Sequence, residues 1–168
     1  LLIGAALLSF TSRALAADPA PANTETKPRA TIKAVKVDTP PVIDGIMDDE
    51  VWNLAPKSSP FVQDDPVHGV PMTERTEFRV LYDDKALYLG FWCFDSEPNK
   101  ILARTMSRDD WPDADDFLII SIDPFLDRRN GYMFAVNPNG SRFDAIINNN
   151  AYAGSSWDTI WDCRGKVT

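Results

Sequence analysis

From Glu77 to Asp83 the residues alternate, with Phe78, Val80 and Tyr82 on one side and Glu77, Arg79 and Leu81 on the other. Period two is the signature of a β-strand. Asp83-Asp84-Lys85 interrupts it as a turn. Ala86 to Phe94 is then almost wholly apolar, Leu87, Leu89, Phe91 and Cys93 alternating with Tyr88, Gly90, Trp92 and Phe94. A run apolar and aromatic on both faces predicts a central strand of a layered structure. Phe117 to Ile122 is another such run, stopped by Asp123-Pro124. Tyr132 to Val136 and Arg142 to Ile147 read as a pair joined across Asn137-Pro138-Asn139-Gly140, and a last strand is expected to start near Trp157. Helical candidates are few and short: 48–55 and Pro98 to Met106. No internal repeat is visible. Strands separated by Gly, Pro, Asn and Asp predict an all-β fold, an antiparallel β-sandwich.

One stretch departs from plain alternation. In Pro40-Pro41-Val42-Ile43-Asp44-Gly45-Ile46-Met47-Asp48-Asp49-Glu50-Val51-Trp52 an apolar pair runs into an Asp-Gly turn, three acids follow, and a Trp closes the segment. Asp-Gly supplies the positive φ of a tight turn. The acids suit the first turn of a short helix, where free N–H groups favour negative charge. Trp52 then returns to the core, as Trp92, Trp157 and Trp161 are expected to do; the last two, four apart on a strand, share a face.

The chain opens on a different pattern. Leu1 to Phe10 is apolar and Ala14-Leu15-Ala16 is a cleavage-type sequence, so 1–16 reads as an incomplete secretory signal peptide. The run is too short and too broken for a membrane span. Residues 17–31, rich in Ala, Pro and Thr, read as a disordered tether. The folded module is then 32–168, one domain with a sizeable core, incomplete at its C-terminal end. A signal peptide implies an exported protein. The net charge of −8 argues against nucleic acid as a partner. Cys93 and Cys163 leave two readings open, one disulfide or two buried thiols.

Candidate chemistry is sparse. His68, the only histidine, lies in the polar stretch Asp64 to Gly69 and reads as a solvated loop residue. No nucleophile elbow accompanies it. One histidine rules out a bis-histidine haem; His/Met ligation through Met47, Met72, Met106 or Met133 is formally open. Neither haem nor nucleotide is expected as a cofactor. Asp109, Asp110, Asp113, Asp115 and Asp116 crowd around Trp111, and Asp123 and Asp127 follow the next strand. Carboxylates at strand-edge loops are the hard oxygen ligands Ca²⁺ takes, so Asp109, Asp116, Asp123 and Asp127 are candidate ligands of a structural Ca²⁺, against the plainer reading of a solvated acidic loop. Paired carboxylates also serve glycoside hydrolysis, but only Asp110 has an apolar neighbour of the kind that raises a pKa, and no catalytic residue is assigned. Trp111 stands in a polar loop. An aromatic ring beside polar groups stacks on the apolar face of a sugar, and it equally serves as a loop anchor. With Asp113, Asp115, Asn148 and Asn149 it makes the candidate carbohydrate-binding set.

Val42-Ile43-Asp44-Gly45 followed by Asp48-Asp49-Glu50-Val51-Trp52 resembles the opening of a family 9 carbohydrate-binding module. The resemblance continues through Phe78 to Asp84, Leu87-Tyr88-Leu89, Asp116 to Asp123, and Gly131-Tyr132 with Phe134 to Asn137. The segments Pro66 to Glu77 and Asp127 to Tyr132 resemble the form found at the N-terminus of large exported bacterial proteins with a barrel-like C-terminal region. The resemblance spans about residues 35–165. It implies a β-sandwich with structural calcium that grips the end of a glucan or xylan chain between two Trp rings, Trp111 matching the first and the second lying past Thr168. It implies a place in the periplasm or outer membrane of a Gram-negative bacterium and two partners, a carbohydrate and the barrel-like region of the same chain, with the module targeting a glycoside-acting protein. Where sugar-binding members carry a Glu in the strand 116–123 and an Arg in the next, this chain has apolar residues such as Ile119, and Ala135. A protein-interaction or plug domain with no sugar ligand is the alternative from another class.

Overall fold

The computed structural model describes residues 30–152 and 157–168; the expected signal peptide and nearly all of the tether lie outside them. Among the described residues the fold is all β, with two short 3₁₀ turns and no α-helix. A three-stranded sheet has the order β1 (Val35–Lys36), β2 (Thr76–Tyr82), β3 (Leu87–Cys93). β1 runs parallel to β2, and β2 pairs antiparallel with β3 from Thr76↔Cys93 to Tyr82↔Leu87. A four-stranded antiparallel sheet follows chain order: β4 (Leu118–Ile122), β5 (Gly131–Val136), β6 (Arg142–Asn148), β7 (Ala151–Tyr152).

The alternation predicted for 77–83 divides the first sheet into two faces, one apolar through Phe78 and Val80 and the other carrying Glu77 and Arg79 beside Leu81. Leu81 faces Val37, Trp52 and Ala55 in one core cluster, with Met47, Tyr88 and Trp92 at its margin. Trp52 reaches this place because Gly45, at φ 81°, turns the chain, with the Asp44 carboxylate accepting from the Ile46 N–H. The helix expected at 48–55 is a single 3₁₀ turn, Glu50–Leu54. The Trp52 indole lies over Gly90, where an added Cβ would stand 2.9 Å from the ring. Its Nε1–H is buried with no hydrogen-bond acceptor among the described residues.

Both faces of the second sheet are apolar. Met133, Ala135, Phe143 and Ala145 form the other core cluster, with Phe117, Ile119 and Ile147 against it. The opposite face carries Leu118, Ile120, Phe134 and Val136. Together with Leu87, Leu89 and Phe91 of β3 these line a cleft of about 520 Å³. β3 is the last strand of its sheet, not the central one expected from its apolar faces; one face sits under Trp52 and the other looks into the cleft.

Two further expectations are corrected. Of Pro98 to Met106 only Pro98–Lys100 is helical, and as a 3₁₀ turn. The N–H groups of Leu102, Arg104 and Thr105 donate to the Asp116 and Asp115 carboxylates, and the Ala103 and Thr105 carbonyls accept from the Asn139 and Asn137 amides. Side chains have taken the backbone groups a helix would pair. The strand expected from Trp157 is an extended segment outside both sheets. It is held by side chains: Thr159 N–H and Trp161 Nε1–H donate to the wholly buried Asp144, and Arg142 donates to the Trp161 carbonyl. Trp157 and Trp161 do share a face, half-buried on Tyr132 and Phe134. Cys93 and Cys163 are both thiols, the second pushed up to about 11, by burial first and by Asp162, against the pull of Arg142 and Arg164.

Candidate functional site

The aspartate-rich loop before β4 is built from the inside. Asp115 is buried and accepts from the N–H groups of Arg104 (2.7 Å) and Thr105 (2.8 Å) and from the Asn137 amide (2.9 Å). Burial alone would raise its pKa; those donors outweigh it and hold the carboxyl down at about 2. Its oxygens are spent on the loop, so the side chain proposed as a sugar contact is a structural hub. Asp109 N–H donates to the Arg142 carbonyl, and the Ser141 hydroxyl to the Ser107 carbonyl, tying the loop to the start of β6.

On this frame stands Trp111. Its indole meets Phe117 edge-on at 5.3 Å and Phe143 at 5.1 Å, and 38 % of the residue is open to solvent. Edge-to-face contacts of this kind fix the orientation of a ring. Asp113 is exposed two residues on. Trp111 lines neither the cleft nor the second hollow described next.

Asn148 and Asn149 are elsewhere. They end β6, whereas Phe143, which carries Trp111, is near its start. Five residues of strand put about 17 Å between them. The five residues expected to form one carbohydrate site therefore divide: Trp111, Asp113 and Asp115 at one end of the sheet, Asn148 and Asn149 at the other. The sequence offered no distance between the loops, so one list hid two places.

The four aspartates expected to hold calcium divide the same way. Asp109 and Asp116 lie at the Trp111 end, where Asp116 accepts from Leu102 N–H. Asp123 and Asp127 shape the β4–β5 loop. Asp123 accepts from Phe125 and Arg128 N–H, and Asp127 from Arg129 N–H, Asn130 N–H and the Asn130 amide. These donors, the Asn130 amide first, lower the Asp127 pKa. Among the described residues no three His, Cys, Asp or Glu side chains converge as a metal cage, and these four lie in two separate places. His68 is an exposed loop residue whose ring bonds Asp64 at 2.8 Å.

Two features escaped the sequence reading. One is Asp144, the single charge inside the apolar run Phe143 to Ile147; that contrast was the available signal. The other is Phe125, 64 % exposed, which with Tyr132, Asn130 and Asn148 lines a hollow of about 440 Å³ at the Asn148 end. An aromatic inside a loop of Asp and Arg was its signal. No protein-family model, curated protein or solved structure matches the chain.

Proposed function

We propose that this chain is a non-catalytic carbohydrate-binding module, a β-sandwich of the family 9 type carried by an exported envelope protein. The two sheets bordering a common apolar cleft support the sandwich. The observation that carries the function is Trp111: an indole pinned by two phenyl rings, yet more than a third exposed, beside the exposed carboxylate of Asp113. A pyranose stacks its C–H face on that indole while Asp113 accepts from its hydroxyls. A single stacked ring contributes on the order of 1 kcal/mol beyond buried area, so a lone sugar binds weakly and a polymer binds through repetition. The N-terminal apolar run and Ala14-Leu15-Ala16 support export. The test is retention on a glycan array by the wild type and by Trp111→Ala; binding that survives the substitution undamaged removes Trp111 from the site.

The cleft favours a second reading, an interaction domain. β3 and β4, each the last strand of its sheet, border it, and Leu87 is 52 % exposed at its rim. Trp52, whose indole N–H has no acceptor among the described residues, is a lining residue. An added strand would supply both backbone pairing and apolar side chains. In a longer protein, a photo-crosslinker at Leu87 that captures a barrel-like region of the same polypeptide would favour this reading over the sugar.

A further inference from the structure

We infer that the hollow between the β4–β5 loop and the β6–β7 hairpin is a second carbohydrate subsite, taking one pyranose ring on Phe125 independently of Trp111. This rests on the carbohydrate reading above and adds to it a second, separate platform. The hollow, about 440 Å³, is lined by the apolar Phe125, Tyr132 and Ile146 and by the polar Asp127, Asn130 and Asn148. That is the composition a sugar ring asks for: a flat apolar surface for its C–H face and amides for its hydroxyls.

What separates this hollow from an ordinary surface dent is how firmly its walls are set. Leu126 and Arg128 have φ of 56° and 58°, conformations that L-residues adopt at a cost. The Asp123 and Asp127 carboxylates hold the loop there, through the N–H groups of Phe125, Arg128, Arg129 and Asn130. The loop is then fastened to the hairpin: Asn149 N–H donates to the Asn130 side chain at 3.1 Å, and Asn150 N–H to the Arg129 carbonyl at 2.8 Å. Tyr132 is held by Trp157, the two rings stacked with centroids 4.9 Å apart. All this polar bonding orders a loop whose tip holds Phe125 out in water, 64 % exposed. A wall already ordered binds without the entropy cost of ordering. The Asn130 amide keeps one N–H beyond its bond to Asp127, and the Asn148 side chain is exposed for hydroxyl contacts.

The experiment is an array of immobilised neutral oligosaccharides, read with the full chain, Trp111→Ala, Phe125→Ala, Asn148→Ala and the Trp111/Phe125 double variant. Melting temperatures serve as the folding control, since Phe125 and Asn148 are both exposed. The expected result is that Trp111→Ala and Phe125→Ala each weaken binding roughly tenfold without abolishing it, that Asn148→Ala weakens it by a smaller factor, and that the double variant binds nothing. If Trp111→Ala abolishes all binding and Phe125→Ala changes none, the second subsite is overturned and the Trp111 site stands. If Phe125→Ala abolishes binding and Trp111→Ala is silent, the subsite stands and the Trp111 site falls. A wild type that retains no glycan overturns both.

Discussion

The two ends of the four-stranded sheet use the same device at different depths. At the Trp111 end a buried aspartate, Asp115, gathers backbone N–H groups from a distant stretch of chain, 104–105, and is itself gripped by the wholly buried Asn137. At the Phe125 end, aspartates near the surface gather N–H groups from their own loop. Both satisfy donors that no sheet pairs. The first joins parts of the molecule far apart in sequence; the second only shapes a turn. Depth and sequence separation, rather than the number of hydrogen bonds, decide whether a carboxylate holds up the fold or a loop.

The largest expected effect tests that contrast directly. Asp115→Ala leaves the Arg104 and Thr105 N–H groups and the Asn137 amide without their acceptor, and should cost about 3 kcal/mol in urea unfolding. A cost below about 1 kcal/mol would put both ends in the same class. Next comes acid. The Asp115 carboxyl sits at about 2 in the fold against 3.8 in the open chain, so its contribution is complete above pH 3.8 and is lost as pH falls through 2. That is about 2 kcal/mol of pH-dependent stability, to be read as the difference between the wild type and Asp115→Asn over this window. Trp111→Ala removes a half-covered ring from Phe117 and Phe143 and should lower stability by about 1–2 kcal/mol in the same assay. At the other end, Asp127→Ala should leave the melting temperature in place while the Arg129 and Asn130 amides exchange hydrogen faster by NMR. A cooperative loss of fold would make this loop a structural hub as well. The smallest effect is expected from metal: Asp116, Asp123 and Asp127 already accept backbone N–H groups, so EDTA against excess Ca²⁺ should move the melting temperature by less than about 1 °C. A larger shift would mean that the aspartates regroup around an ion.

The strands were legible because period two survives in a single sequence; Phe78, Val80 and Tyr82 do share a face, and Trp52 is core at 2 % exposure. The 40–52 turn was legible because Asp-Gly has few uses. Side-chain-to-backbone bonding across long separations was not. Nothing in Pro98 to Met106 tells that Asp115 and Asp116 will unwind it, and nothing near Trp157 tells that Asp144 and Arg142 will take its backbone groups. The candidate site suffered from the same blindness. Residue type selected Trp111 and Asn148 sensibly, but which end of a strand each loop closes on is set by register, and Phe125 was passed over inside a charged loop.

Cys93 is wholly buried, and the burial that pushes the Cys163 thiol up to about 11 keeps it protonated at neutral pH. Since the thiolate is the form that alkylates, iodoacetamide should ignore both sulfurs until the structure loosens around them. The rate of modification is then a clock on two different openings: Cys163 times the release of the Trp157–Lys166 segment, and Cys93 the parting of the three-stranded sheet. Two inert side chains thereby distinguish a local excursion from a global one without any added label.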